Sequence, residues 1–169
     1  APDRRLKAKS KPLDRVDDDT RKLLDDMVAT MRAAPGIGLS AVQVGSPVRA
    51  IVVGVREADR EEDAPETLFL VNPEITFESD EDVLIEEGCL SLPDQFENVE
   101  RPDEITVKFL DRDGKPQTLQ CGGTTARVIQ HEMDHLKGVL FVDHLSKIKR
   151  DIILRRLLKV RRQKQPADA

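Results

Sequence analysis

The chain has 169 residues, 38% of them hydrophobic and 35% charged, with no Trp, no Tyr and five Phe, so its core must be aliphatic. That length suits one domain spanning residues 1–169 and is short for two. The net charge of −5 argues against a surface devoted to nucleic acid, no run approaches the roughly 20 apolar residues of a membrane span, and no charged-then-apolar segment marks export.

Residues 1–16 are basic and proline-punctuated and read as an extended arm. Leu24, Met27, Val28 and Met31 recur at helical steps, predicting a helix from about Asp17, with Asp17 to Asp19 suiting its N-terminus and Pro35-Gly36 ending it. "VRAIVVGV" at 48–55, "LFLV" at 68–71 and "ITVKFL" at 105–110 are predicted strands. A charged loop at 56–67 holds Glu57, Asp59, Glu61, Glu62, Asp63 and Glu66. "DRDGKP" at 111–116 reads as a turn between strands, with Asp113-Gly114 at its tip.

Two helices close the chain. The first is predicted over Thr125 to Leu136, capped by Thr124 or Thr125, ended by Gly138 and packed through Ala126, Val128, Ile129 and Met133. The second begins near Ser146 and reaches about Arg162, with an apolar side of Ile148, Ile152, Leu154, Leu157 and Leu158. Residues 146–164 form a basic C-terminal helix: from Lys147 to Lys164 nine basic residues face one acid, Asp151. Its cationic face reads as a solvated surface or a docking surface. Strands in the middle and helices at the ends predict an α+β fold, not a doubly wound α/β one.

Within the first of these helices, "QHEMDHLKG" places His131 and His135 one turn apart around Glu132, so both imidazoles can reach one metal ion. The third ligand is not a histidine six residues on, because that position is Phe141 and His144 lies three too far. Nor is it a downstream glutamate, since none follows Glu132. Upstream, "EEGCLSLP" sets Cys89 beside Gly88, where the backbone can approach a bound group. A thiolate with two imidazoles leaves one tetrahedral position open, as a catalytic site requires. Cys89 is therefore the expected ligand, with Cys121 and Asp143 as the other candidates. Without an export signal, both cysteines read as free or metal-bound thiols.

"GIGLSAVQVG" at 36–45 fits G-x-G-x-x-A through Gly36, Gly38 and Ala41, but it follows a helix and leads into a strand, the reverse of a dinucleotide fingerprint. It is either a turn with helix-ending glycines or a turn that brings backbone and the Gln43 amide to a ligand.

Taken together, "GIGLSAVQ", "EGCLS" and "HEMDHLKG" resemble the three signature motifs of the peptide deformylase family, and the likeness extends through "ERPDEITVKFLDRDGKP" and "GVLFVDHLSKIKR". The resemblance implies antiparallel or mixed sheets around a central metal-binding helix, and removal of the formyl group from the N-terminal methionine of new bacterial or organellar proteins. It implies a metal held by Cys89, His131 and His135, usually Fe²⁺ and replaceable by zinc, nickel or cobalt, with Glu132 as acid and base. Gln43 and the Leu90 N–H would hold the formyl oxygen. The substrate would lie extended along Ile37 and Gly38, close to the backbone at Gly88, with its methionine in an apolar pocket. Other expectations are a monomer acting on N-formylmethionyl chains, ribosome contact through the basic C-terminal helix, and a bacterial cytosol or, for a processed chain, an organelle.

The chain departs from the family pattern in three ways. Ser40 stands where alanine is usual. Gly122, Gly123, Thr124 and Thr125 replace an acidic residue, a glycine and two apolar residues, which is expected to loosen packing at the start of the metal helix. The opening lacks the short apolar segment normal in the family, pointing to a missing or processed start. The competing readings are another metal-dependent amidase or peptidase, and a relative that binds metal or the ribosome without catalysis.

Overall fold

The computed structural model describes residues 9–34, 36–55, 66–89 and 92–164. The first eight residues of the arm, Pro35, the acidic loop up to residue 65, and Leu90 lie outside the described residues.

The chain order is α1 (Asp18–Ala33), β1 (Gly38–Ser40), a 3-10 turn (Ala41–Val44), β2 (Ala50–Gly54), β3 (Thr67–Glu78), β4 (Asp82–Cys89), β5 (Leu92–Pro102), β6 (Glu104–Leu110), β7 (Pro116–Gly122), α2 (Gly123–Leu136), a second 3-10 turn (Phe141–His144) and α3 (Lys147–Lys164). Asp17 caps α1 by accepting from the Thr20 N–H. Five strands form an antiparallel sheet in the order β1-β2-β3-β6-β7, and β4 and β5 pair as a separate two-stranded sheet. The fold is α+β, as the distribution of patterns predicts.

Strand β2 explains why its sequence is apolar at consecutive positions. Ile51 and Val53 pack with Ala126, Ile129, Met133 and Leu136 of α2, whereas Ala50 and Val52 pack with Leu24, Met27 and Met31 of α1. Helices cover both faces of this part of the sheet, so alternation disappears. Met27 and Ile129 are fully buried, each contributing about 1.5–3 kcal/mol relative to exposure. A third cluster joins Val99 of β5 to Leu140, Phe141 and Val142 and to Ile153 and Leu157 of α3.

Two expectations need correction. Neither Thr124 nor Thr125 caps α2: the N-cap is Gly122, with no side-chain cap bond, and both threonines lie half-buried in the first turn. The chain swings from β7 into the helix through Gly123 at φ +59°, a conformation a β-carbon resists, so the turn is made two residues early. On α3 the buried stripe is Ile153 and Leu157 with Leu154 beside it, while Ile148, Ile152 and Leu158 of the predicted apolar side are exposed. The helix lies against the β4–β5 sheet and the Phe141 turn, which selects a different face.

The described part of the arm is extended and tied down. Ser10 N–H donates to the Leu136 carbonyl at the end of α2 (2.8 Å), Lys11 bridges to Val48, and the Asn72 amide both accepts from and donates to the Leu13 backbone. No described helix is long and apolar enough to cross a membrane.

Candidate metal centre

Helix α2 is buried along most of its length, so the two histidines it carries are held in protein rather than water. Cys89 ends β4 and meets them from the opposite side. Its Sγ lies 3.3 Å from His135 Nε2, and one ligand atom from each of Cys89, His131 and His135 falls within 4.8 Å of the others. With metal–sulfur bonds of about 2.3 Å and metal–nitrogen bonds of about 2.0–2.1 Å, tetrahedral donors stand roughly 3.3–3.6 Å apart. The three residues can therefore surround one ion with little adjustment. A thiolate and two imidazoles suit a borderline transition ion, not Mg²⁺ or Ca²⁺.

The other two candidate ligands do different work. Cys121 packs against the sheet–α2 core, where burial pushes its thiol up to about 11. Asp143 accepts from the Leu140 N–H at 2.9 Å. Among the described residues, neither joins the Cys–His–His group. Phe141, standing where one zinc-peptidase layout has its third histidine, is a buried core residue stacked on His131.

Glu132 is buried beside the donors. Its Oε1 lies 3.9 Å from His131 Nε2, and its Oε2 is buried without a hydrogen-bond partner among the described residues. Burial raises its pKa to about 7, against the pull of His131 and Arg101. Burial likewise opposes charge on both imidazoles. At His131, hydrogen bonds to Cys89 and Glu87 outweigh it and carry the pKa up to about 10, whereas burial and then the His131 charge push His135 down to about 3. A cation bound among these donors would displace the His131 proton.

Gln43 reaches the centre from the turn after β1. Its Oε1 accepts from both the N–H and the hydroxyl of Ser40, each at 2.9 Å, which turns Nε2 toward Cys89 Sγ at 3.6 Å. Gly38 lies against α2 so closely that a Cβ there would stand 2.6 Å from Val128 Cγ1 and 3.0 Å from Glu132 Cγ. Ile37 precedes it with 43% of its surface exposed, and Ile85, on the same face of β4 as Glu87 and Cys89, is equally exposed. Gly88 sits between Glu87 and Cys89, opposite Phe96 on β5.

Sequence reasoning missed the residues behind the ligands. Glu87 accepts from His131 Nδ1 (3.0 Å), leaving Nε2 for an ion, and from Arg101 through Nε (2.6 Å) and Nη2 (2.9 Å). Burial works against its charge, yet the His131 and Arg101 hydrogen bonds lower its pKa to about 2. Arg101 also donates to Asp134 (2.8 Å), which pairs with His144 at 2.7 Å. The available signal was local: Glu87 is two residues from Cys89 on a strand and so shares its face.

The sequence model of the polypeptide deformylase family matches residues 1–151. Among curated relatives, the peptide deformylase of Mesorhizobium japonicum is 48% identical over 165 residues, covering 98% of this chain and 92% of its own. That of Pelagibacter ubique is 50% identical over 160 residues, covering 95% and 91%. Peptide deformylase from Ehrlichia chaffeensis superimposes with a TM-score of 0.90 at 39% identity, covering 96% of this chain and 94% of its own, and a structure of it in complex with actinonin with 0.89 at 40%, covering 98% and 95%. By sequence along most of its length and by fold, this chain belongs to the polypeptide deformylase family.

Proposed function

We propose that this chain is a metal-dependent deformylase that hydrolyses the N-formyl group of N-terminal formylmethionine in nascent polypeptides, releasing formate and a free amine. One observation carries the mechanism: the buried, unpartnered carboxylate oxygen of Glu132 beside a Cys–His–His donor set.

Cys89, His131 and His135 are the residues we assign to the ion, which when bound supplies Lewis acidity toward the formyl oxygen and lowers the pKa of water toward neutrality. Glu132 takes the proton of the attacking water as oxygen adds to the formyl carbon. The Gln43 Nε2–H, held by Ser40, donates to the formyl oxygen as it gains negative charge, and the Leu90 N–H is assigned as the second donor; each such donor is worth roughly 3 kcal/mol in comparable sites. As the carbon–nitrogen bond breaks, Glu132 returns its proton to the departing amine.

Strand β1 is an edge strand of the five-stranded sheet, so its outer backbone edge at Gly38, next to Ile37, suits an extended peptide, with Gly88 assigned to flank it from β4. The exposed Ile37 and Ile85 side chains offer apolar surface to methionine. For the ion we assign Fe²⁺, with Zn²⁺, Ni²⁺ or Co²⁺ able to replace it; the donor set supports this class. We further propose a single catalytic domain over 1–169, a monomer in a bacterial cytosol, and ribosome contact through the basic face of α3.

Formate release from formyl-Met-Ala-Ser by protein loaded anaerobically with Fe²⁺ or Ni²⁺ tests the reaction. Deformylation predicts formate and no cleavage between residues. Cleavage of internal peptide bonds without formate would make the chain a peptidase instead.

A further inference from the structure

Among the described residues, the β4–β5 sheet has no hydrogen-bonded partner strand in the five-stranded sheet. Two strands alone are marginal in water and depend on packing for their place. That place matters because Cys89 ends β4 whereas both histidines stand on α2. A shift of the hairpin relative to the helix moves the sulfur away from the nitrogens.

Arg127 bridges the two. It lies one turn before His131 on α2 and is 8% exposed. Its Nη1 donates to Glu87 Oε2 at 2.5 Å and to the Val99 carbonyl at 2.9 Å, and its Nη2 donates to the Val83 carbonyl. Three bonds thus run from one helical side chain to both strands of the hairpin. Arg101 makes the complementary link, from β5 to Glu87 and on to Asp134 of α2. Two guanidinium groups thus face Glu87 and Asp134 across the junction of hairpin and helix.

We propose that Arg127 is a positioning residue, fixing the β4–β5 hairpin against α2 and so holding Cys89 in register with His131 and His135. The inference rests on the metal-centre reading and assigns Arg127 no contact with substrate. An aliphatic replacement would leave Glu87 and the Val83 and Val99 carbonyls short of a donor. Lysine keeps the charge but lacks the planar fork that reaches all three.

The test uses the full chain loaded with Co²⁺, whose thiolate charge-transfer absorption reports Cys89 ligation, with affinity measured by chelator competition. Arg127→Met is expected to bind Co²⁺ about 10- to 100-fold more weakly, as loss of an outer partner typically does. Its thiolate band should weaken, and amides of residues 82–102 should exchange faster; Arg127→Lys should recover part of the band. Val107→Ala, a core change in β6, controls for lost stability and should leave band and affinity intact. An unchanged band and affinity in Arg127→Met would overturn the proposal, as would an equal effect of Val107→Ala. If Arg127→Met does not fold, a full band and wild-type affinity in Arg127→Lys overturns it. A wild-type protein with no thiolate band would remove the metal centre itself, a result distinct from these.

Discussion

The contact between Gly38 and α2 makes a sharp prediction. A methyl group at Gly38 would sit 2.6 Å from Val128 Cγ1 and 3.0 Å from Glu132 Cγ, against an ordinary carbon–carbon separation of about 3.5–4.0 Å. Gly38→Ala must therefore push β1 and α2 apart by up to about 1 Å, in a region with no spare volume. Overpacking of this kind costs about 1–3 kcal/mol. If Glu132 transfers the proton as proposed, displacing its carboxylate by a similar distance lowers kcat/KM by up to about 10²-fold. The metal should stay, because no ligand is among the atoms nearest that Cβ. The checks are denaturant unfolding, metal stoichiometry and formate release on one preparation. Adding Val128→Ala removes the closer clash, so the double variant should be more stable than the two single effects sum to, while the Glu132 contact keeps turnover low. A Gly38→Ala protein as stable and active as the parent would refute this account of how β1 and α2 meet.

Other outcomes follow from the same geometry. Cys89→Ala should abolish stoichiometric metal binding, whereas Cys121→Ala should leave the metal content unchanged; metal analysis after dialysis separates them. Ser40→Ala removes one of the two described donors to Gln43 Oε1, a loss of about 1 kcal/mol, and should lower kcat several-fold with KM little altered. Glu87 has a folded pKa depressed to about 2 from 4.5, so its stabilisation is complete above pH 4.5 and is lost as pH falls toward 2. Metal-free wild type should lose up to about 3 kcal/mol more across that window than Glu87→Gln. His131, raised to about 10, gives up its contribution on the alkaline side and leaves this difference intact.

Much of the fold was legible where apolar periodicity decides the element. Helix α1 starts within the acidic run expected at its N-terminus, and β2 and β6 fall where their β-branched runs lie, because each packs an apolar face on a neighbour. The hairpin was not legible. Its inner face carries Glu87 and Arg101 as well as Val99, so the alternation that marks a strand is broken by buried charge. Arg127 is invisible for a related reason: on a helix it reads as a surface residue, and only the long-range meeting with β4 and β5 buries it. At the centre, His131, Glu132 and His135 were readable from helical spacing, and Cys89 from its neighbours. The orientation of Gln43 was not, since it depends on the Ser40 N–H and hydroxyl, which only the turn brings to its amide oxygen.

The most direct test of the central claim compares formate release by wild type and Glu132→Gln, each with its metal content measured. Both should be fully metallated, with turnover reduced about 10²–10⁴-fold or more in the variant, as expected when a general base is lost. A fully metallated Glu132→Gln protein that still released formate at the wild-type rate would contradict that claim.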